Sequence, residues 1–152
     1  RRHCEMVSSV SMSLGLALAG RGLKVNVPLL RGAALFHDVC RHEKDHAAAG
    51  ATFLEHNGFS RLARIASGHR DLPANAPIEA RIVHLADKVV KDTSLVSLEE
   101  RMEMMRSVYG EDPIAWRSIR EKFARARRTS RMIERATGLD LHNLLKFRGK
   151  DI

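Results

Sequence analysis

Ala33-Ala34-Leu35-Phe36-His37-Asp38 runs from an unbroken apolar stretch directly into an imidazole and a carboxylate. Pro28 suits the first turn of the helix that carries this stretch, and the apolar positions Leu30, Ala33, Ala34 and Phe36 take it to about Val39. His37 and Asp38 therefore sit at a helix end. Neighbouring side chains there diverge by about 100° and still reach one ion or two adjacent ions, offering one nitrogen and one oxygen ligand.

The rest of the chain reads as helix on both sides of this pair. Leu, Ala, Met, Arg and Glu dominate, and no segment alternates apolar with polar residues as a half-buried strand does. Upstream, Val7, Val10, Leu14 and Ala17 recur at helical spacing from His3 to Ala19, and Gly20 and Gly22 stop the pattern. Downstream, a charged connection from Arg41 to Asp45 leads to a helix from His46 to His56, closed by Asn57-Gly58. Ser60 is a suitable N-cap for a further helix to His69. Pro73 and Pro77 mark residues 71–77 as a loop, expected near the mouth of a site. Ile82, Leu85, Ala86 and Val89 then form the stripe of a helix from Ile78 to about Lys91.

From Ser97 the character changes. A short amphipathic helix holds Met102, Met105 and Val108, and Asp112-Pro113 opens a long basic one through Arg135 that Gly138 ends. Leu139 to Leu145 is a short helix or turn before a basic tail. The expectation is an all-α single domain over residues 1–152, with a core over 1–92 and a helical extension over 93–152.

Composition narrows the class. A chain of 152 residues, 44% hydrophobic and 29% charged, is an ordinary globular composition for one core. Arg21, Lys24 and Arg31 interrupt the most hydrophobic region, so no run approaches the ~18 residues that span a bilayer, and no membrane partner is expected. Two cysteines, Cys4 and Cys40, make no disulfide framework and point to a reducing cytoplasm. The net charge of +8 favours a polyanionic ligand. The run Arg117, Arg120, Lys122, Arg125, Arg127, Arg128, Arg131 and Arg135 is interleaved with Glu121 and Glu134. Trp116, Ile119, Phe123 and Ala126 form its buried stripe, so the basic side reads as a solvated face, with nucleic-acid contact the less favoured reading.

Eight histidines are far more than the usual share, and six lie between positions 37 and 84. His3, His37-Asp38, His46, His69 and Asp87 each fall on a different predicted helix, so a helical bundle could converge them on one pocket. His42 and His46 share an i, i+4 spacing, but the intervening residues read as loop. His84 reads as a packed histidine, His56 as a helix-end residue, His142 as surface, and Cys40 as a small buried hydrophobe.

The order His3, His37-Asp38, His46, His69, Asp87 resembles the H…HD…H…H…D signature of the HD superfamily of metal-dependent phosphohydrolases. The flanks agree: His46-Ala47-Ala48-Ala49-Gly50-Ala51 and Leu85-Ala86-Asp87-Lys88 are similar to the family's own surroundings of these residues. The resemblance covers residues 3–88. It implies an HD-domain helical bundle in which His3, His37, Asp38 and Asp87 bind a divalent metal. It further implies that His46 and His69 help to hold a second ion, with Asp38 bridging the two. One or two ions are expected, with Fe, Mn, Mg, Zn, Co and Ni not distinguished. The implied activity is cleavage of a phosphomonoester or phosphoanhydride of a nucleotide-like substrate by metal-activated water. Asp38 serves that chemistry, and Arg41, Arg70 and Lys88 are the candidates to grip phosphate. The alternative is a non-catalytic nucleotide-binding module that regulates a larger protein.

The pattern departs from one HD subgroup where His-Asp-Ile-Gly-Lys becomes His37-Asp38-Val39-Cys40-Arg41. Charge is kept there, but a catalytic Glu at the last position is disfavoured. The absence of Gly-Tyr-Pro also disfavours the cyclic-dinucleotide phosphodiesterases. The sequence is more similar to small HD nucleotide hydrolases, including those acting on dinucleoside polyphosphates, and to HD domains fused to a nucleotidyltransferase-like partner. A first residue of Arg1 rather than Met fits such a fused upstream domain.

Overall fold

Leu14, Leu18, Leu30, Ile82, Leu85 and Ile133 have no or almost no exposed surface, and each comes from a helix whose apolar positions recur every three or four residues. The computed structural model describes residues 1–146. In chain order the helices are α1 (Arg2–Ala19), α2 (Val27–Phe36), α3 (His46–His56), α4 (Ser60–Ala66), α5 (Ile78–Val89), α6 (Leu98–Tyr109), α7 (Pro113–Thr137) and α8 (Leu141–Lys146). A 3-10 turn, Ser67–His69, extends α4, and two short strands, β1 (Val90–Lys91) and β2 (Ser94–Leu95), follow α5. The basic tail expected beyond Leu145 lies outside the residues whose side chains are described. Among the described residues, no helix is long and apolar enough to cross a membrane.

α5 is the centre of the bundle. It packs against α1, α2 and the 3-10 turn on one side and against α7 on the other, and most of its residues are buried. α1 and α2 form the most extensive helix pair. The stripe of α1 continues to Leu18 rather than Ala17, which is only half-buried. In α7, Phe123 and Ala126 are buried as expected, whereas Trp116 and Ile119 are half-buried.

Several boundaries differ from the sequence pattern for identifiable reasons. α2 ends at Phe36 rather than near Val39, and the chain continues in three-residue turns from Val39, Arg41 and Glu43 back to Phe36, Asp38 and Cys40. The His37 ring takes the Ala34 carbonyl in the last turn, which competes with continued helix. Ser60 is the first residue of α4, not its cap, and Phe59 occupies the cap position without a side-chain bond. The all-helix reading also misses the hairpin: Val90 pairs with Leu95 and Lys91 with Ser94, and Asp92 turns the chain at φ 55°. Strands this short give no alternation to detect. The 71–77 loop is anchored in the core by Leu72 and Ala76, and its first residue, Asp71, pairs with Lys122.

The closeness of α1 and α2 depends on Gly15. A Cβ there would lie 2.5 Å from Leu30 Cδ2 and 3.5 Å from Val25 Cγ1. Leu30 is fully buried and has no free direction in which to retreat. Gly15→Ala is therefore expected to destabilise the fold by about 1–2 kcal/mol, despite the roughly 1 kcal/mol gain in helix propensity. Urea denaturation checks this, and a variant more stable than the parent would refute the close-packing account.

Candidate metal centre

Three histidines are wired alike. His3 Nδ1 lies 3.2 Å from the Asp92 carbonyl oxygen, His37 Nδ1 2.8 Å from that of Ala34, and His69 Nδ1 2.7 Å from that of Ala66. A carbonyl oxygen can only accept, so each Nδ1 carries a proton and donates it, and the neutral ring keeps its lone pair on Nε2. His37 and His69 reach back to the final turn of α2 and of α4. His3, in the first turn of α1, reaches across the fold to the hairpin, where the left-handed backbone of Asp92 turns the chain.

The Nε2 atoms converge on two carboxylates. His3 Nε2 is 3.2 Å and His37 Nε2 3.6 Å from Asp87 Oδ1, while Asp87 Oδ2 takes the Lys88 ammonium at 2.7 Å. Asp38 repeats the arrangement: Oδ1 lies 3.4 Å from His46 Nε2, and Oδ2 lies 3.6 Å from Arg41. His46 Nε2 and His69 Nε2 face each other at 3.2 Å. In both aspartates one oxygen meets histidine and the other meets a cation. The result is two groups, His3–His37–Asp87 and Asp38–His46–His69, with the potential ligand atoms of each group within 4.8 Å of one another. The His37 and His69 rings lie 5.0 Å apart and join the groups.

This geometry fits a divalent cation. A neutral imidazole has one N–H to give, and in His3, His37 and His69 it is already given to the backbone. In His3 and His37 the lone pair then faces an Asp87 oxygen, a repulsive arrangement unless a metal ion or a proton stands between them. His37 Nε2 is the sharpest case, since it is buried and has no hydrogen-bond partner in the structure. Mixed imidazole and carboxylate donors suit divalent ions of this kind without singling out one of them.

Protonation follows from the same surroundings. Burial opposes the charged form of Asp87, but Lys88, His3 and His37 together hold its carboxyl well below the usual range. Burial likewise opposes a charge on His37, and Asp87 overcomes it, so the His37 pKa is raised. Burial lowers His69 to about 4, helped by His37 and Lys88, so His69 is neutral and its Nε2 is free to coordinate at physiological pH.

Residues 1–92 match the family model of the HD domain. That is more than half of the chain. The chain belongs to the HD-domain family. This family generally includes metal-dependent hydrolases and binds divalent metals. An uncharacterized protein of Methanocaldococcus jannaschii is 29% identical, with 72% of this chain and 77% of the relative covered. No solved structure matches the chain significantly.

Every residue expected at the centre is brought together: His3, His37 and Asp87 form one group, and His46 and His69 belong to the other. Asp38, expected beside the first three and bridging to the second group, has its Oδ1 with His46 and His69. Arg41, Arg70 and Lys88 all line the cleft over the two groups. Lys88 also faces the His69 carbonyl at 3.3 Å, so the Asp87 pairing and this contact fix it in place. His42 is exposed and lies in neither group, and His56 and His142 are exposed. Cys40 is half-buried rather than buried. Cys4 is half-buried as well, and burial together with Asp38 raises its thiol pKa.

His84 is packed, as its sequence context indicates, but it occupies a specific position. Its Nδ1 lies 2.9 Å from the His69 carbonyl oxygen and its Nε2 3.2 Å from that of Lys122. Burial lowers its pKa, and Lys88 adds to the effect. Sequence reasoning missed the contribution of the extension: Arg101, Met105, Tyr109, Ser118, Ile119 and Lys122 all line the cleft. The spacing of Arg101, Met105 and Tyr109 by four residues was the available signal, since it places them on one face of α6.

The buried neutral histidine makes stability pH-dependent. His69 binds a proton near pH 4 when folded but near its ordinary, higher value when unfolded, so the unfolded chain gains more protons as pH falls through that window. Asp87 loses its contribution only at still lower pH, and the raised His37 opposes His69 in part. Metal-free protein is expected to lose roughly 2–3 kcal/mol from His69 alone between pH 7 and pH 4.5. Denaturant titrations of chelator-treated protein at the two pH values test this, and His69→Gln should flatten the difference. An unchanged pH dependence in that variant would refute the assignment.

Proposed function

We propose that this HD domain is a metal-dependent phosphohydrolase that cleaves a phosphomonoester or phosphoanhydride of a nucleotide-like substrate. The observation that carries this reading is the convergence of four histidine Nε2 atoms on Asp87 and Asp38, with Nδ1 of His3, His37 and His69 already committed to backbone carbonyls. His3, His37 and Asp87 would hold one divalent ion, and Asp38, His46 and His69 a second. Such ions, when bound, acidify water and neutralise charge on a phosphoryl group.

The chain's own residues supply the remaining functions. Asp87 and Asp38 each offer Oδ1 to the ion side, because Lys88 and Arg41 occupy the opposite oxygens. Arg41 is exposed and flexible enough to turn from Asp38 to a phosphate, where its planar fork binds two oxygens together. Arg70 follows His69 immediately, lines the same cleft and has no ion-pair partner among the described residues. It therefore offers its charge to a phosphate above the second group. Lys88 acts chiefly by fixing Asp87.

Purified protein is expected to contain close to two equivalents of a transition metal, or to bind them on addition of Mn²⁺. It should then turn over a generic phosphate ester such as p-nitrophenyl phosphate. Asp38→Ala should reduce both turnover and bound metal to background for the second group, with metal content read independently by mass spectrometry. Wild-type protein that is stabilised by nucleotide but shows no turnover with any divalent ion would instead identify a regulatory binding module.

A further inference from the structure

The cleft above the two metal groups has a volume of about 620 Å³, within the range of small-molecule sites. Its floor comes from the segment that matches the HD domain, but one wall does not. Arg101, Met105 and Tyr109 of α6 and Ser118, Ile119 and Lys122 of α7 form that wall. We propose that this extension wall selects a substrate bearing a chain of at least two phosphates, with Arg101 and Lys122 binding the phosphates away from the metal ions and Tyr109 packing on the base of a nucleotide. The proposal rests on the phosphohydrolase reading for its location and narrows the substrate class.

Charge is the first support. Six cations, Arg41, Arg70, Lys88, Lys91, Arg101 and Lys122, line the cleft, against three carboxylates, Asp38, Asp87 and Asp92. Lys88 and Arg41 are paired with the metal-site aspartates, and Lys122 lies 3.5 Å from Asp71 on the rim. Arg70, Lys91 and Arg101 have no side-chain hydrogen bond or ion pair among the described residues, although they face one cleft. Divalent ions would add to this excess. A monoester dianion leaves much of it unmatched, whereas a di- or triphosphate supplies further anionic groups at successive positions.

Geometry is the second support. Along α6, Tyr109 lies two turns beyond Arg101, about 12 Å at the rise of an α-helix. Arg101 is on the first turn of α6, which follows the hairpin whose Asp92 carbonyl holds His3. Tyr109, the last residue of α6, is 43% exposed and has Met105 and Ile119 along the same cleft. Along α6 the wall therefore changes from cationic to aromatic and apolar, as phosphate chain and base do along a nucleotide.

The third support is the fixed position of Lys122. Its side chain is only 19% exposed, whereas Arg117, Arg120, Arg128, Arg131 and Arg135 of the same helix are exposed. His84 lies between the carbonyls of His69 and Lys122 at 2.9 and 3.2 Å and donates its one N–H to either, so one buried ring is packed between the metal-site turn and the turn of α7 that carries the lysine. A merely solvated basic face would not require such packing.

The test is calorimetric binding to the full chain loaded with Mn²⁺, using a β,γ-methylene nucleoside triphosphate, inorganic triphosphate and inorganic phosphate. Wild-type protein should bind the methylene nucleotide at least tenfold more tightly than inorganic phosphate. Arg101→Ala and Lys122→Ala should each weaken the nucleotide about tenfold more than they weaken inorganic phosphate, the effect of losing one charge-assisted contact. Tyr109→Ala should weaken the nucleotide and spare inorganic triphosphate. Arg101→Lys should retain part of the affinity, and thermal midpoints near the parent's establish folding. Equal affinities of wild type for the three ligands, or variants that weaken all three alike, would overturn the proposal. Turnover of p-nitrophenyl phosphate by wild type is read separately: its absence removes the hydrolase reading, while the binding pattern still decides the role of the extension.

Discussion

The site is organised by backbone carbonyls that dictate which nitrogen of each histidine is left over. Burying an imidazole costs free energy unless its N–H finds an acceptor, and the fold meets that requirement with main-chain oxygens from the last turn of α2, the last turn of α4 and the hairpin. Once Nδ1 is fixed, Nε2 of the neutral ring is an acceptor aimed at carboxylate oxygen. The electrostatic tension between the two is relieved by a metal ion or by a proton on the ring, and the raised His37 pKa is the second of these. The backbone geometry thus produces the ligand field before any ion arrives, which is the preorganisation that metal sites require.

α5 is where packing and electrostatics meet. Its buried stripe anchors α1 and α2, so the helices bearing His3 and His37 are positioned by the core itself. Its polar positions, His84, Asp87 and Lys88, then serve three different neighbours. Asp87 faces the histidines of α1 and α2, Lys88 neutralises Asp87 from the other side, and His84 reaches back to α7. A carboxylate this deeply placed stays ionised because its partners outweigh the cost of burial.

Much of this was readable in the residues. Helical spacing located the principal helices, and the order of His3, His37-Asp38, His46, His69 and Asp87 identified the side chains that meet. What spacing could not reveal was the side of the centre that Asp38 faces. The direction of Asp38 depends on the chain leaving helical geometry just after Phe36, and that departure arises from a side-chain hydrogen bond rather than from a helix-breaking residue. The hairpin escaped for a different reason: its strands are two residues long, and its decisive atom is a carbonyl of Asp92, which any residue would provide. Lys122 was hidden because an amphipathic reading recognises a buried side and a solvated side, while a cleft wall is neither.

The long-range contacts of His3 also impose an order on biosynthesis. His3 meets Asp87 across 84 positions, whereas His46 and His69 are separated by 23. A ribosome adding roughly 5–20 residues per second therefore leaves His3 without its carboxylate for several seconds. Asp38, His46 and His69 have all been synthesised before Asp87 is, so the nascent chain completes one set of donors while the other still lacks its anion. The two groups of the candidate centre are therefore completed in sequence, and the hairpin, made later still, supplies the carbonyl that holds His3.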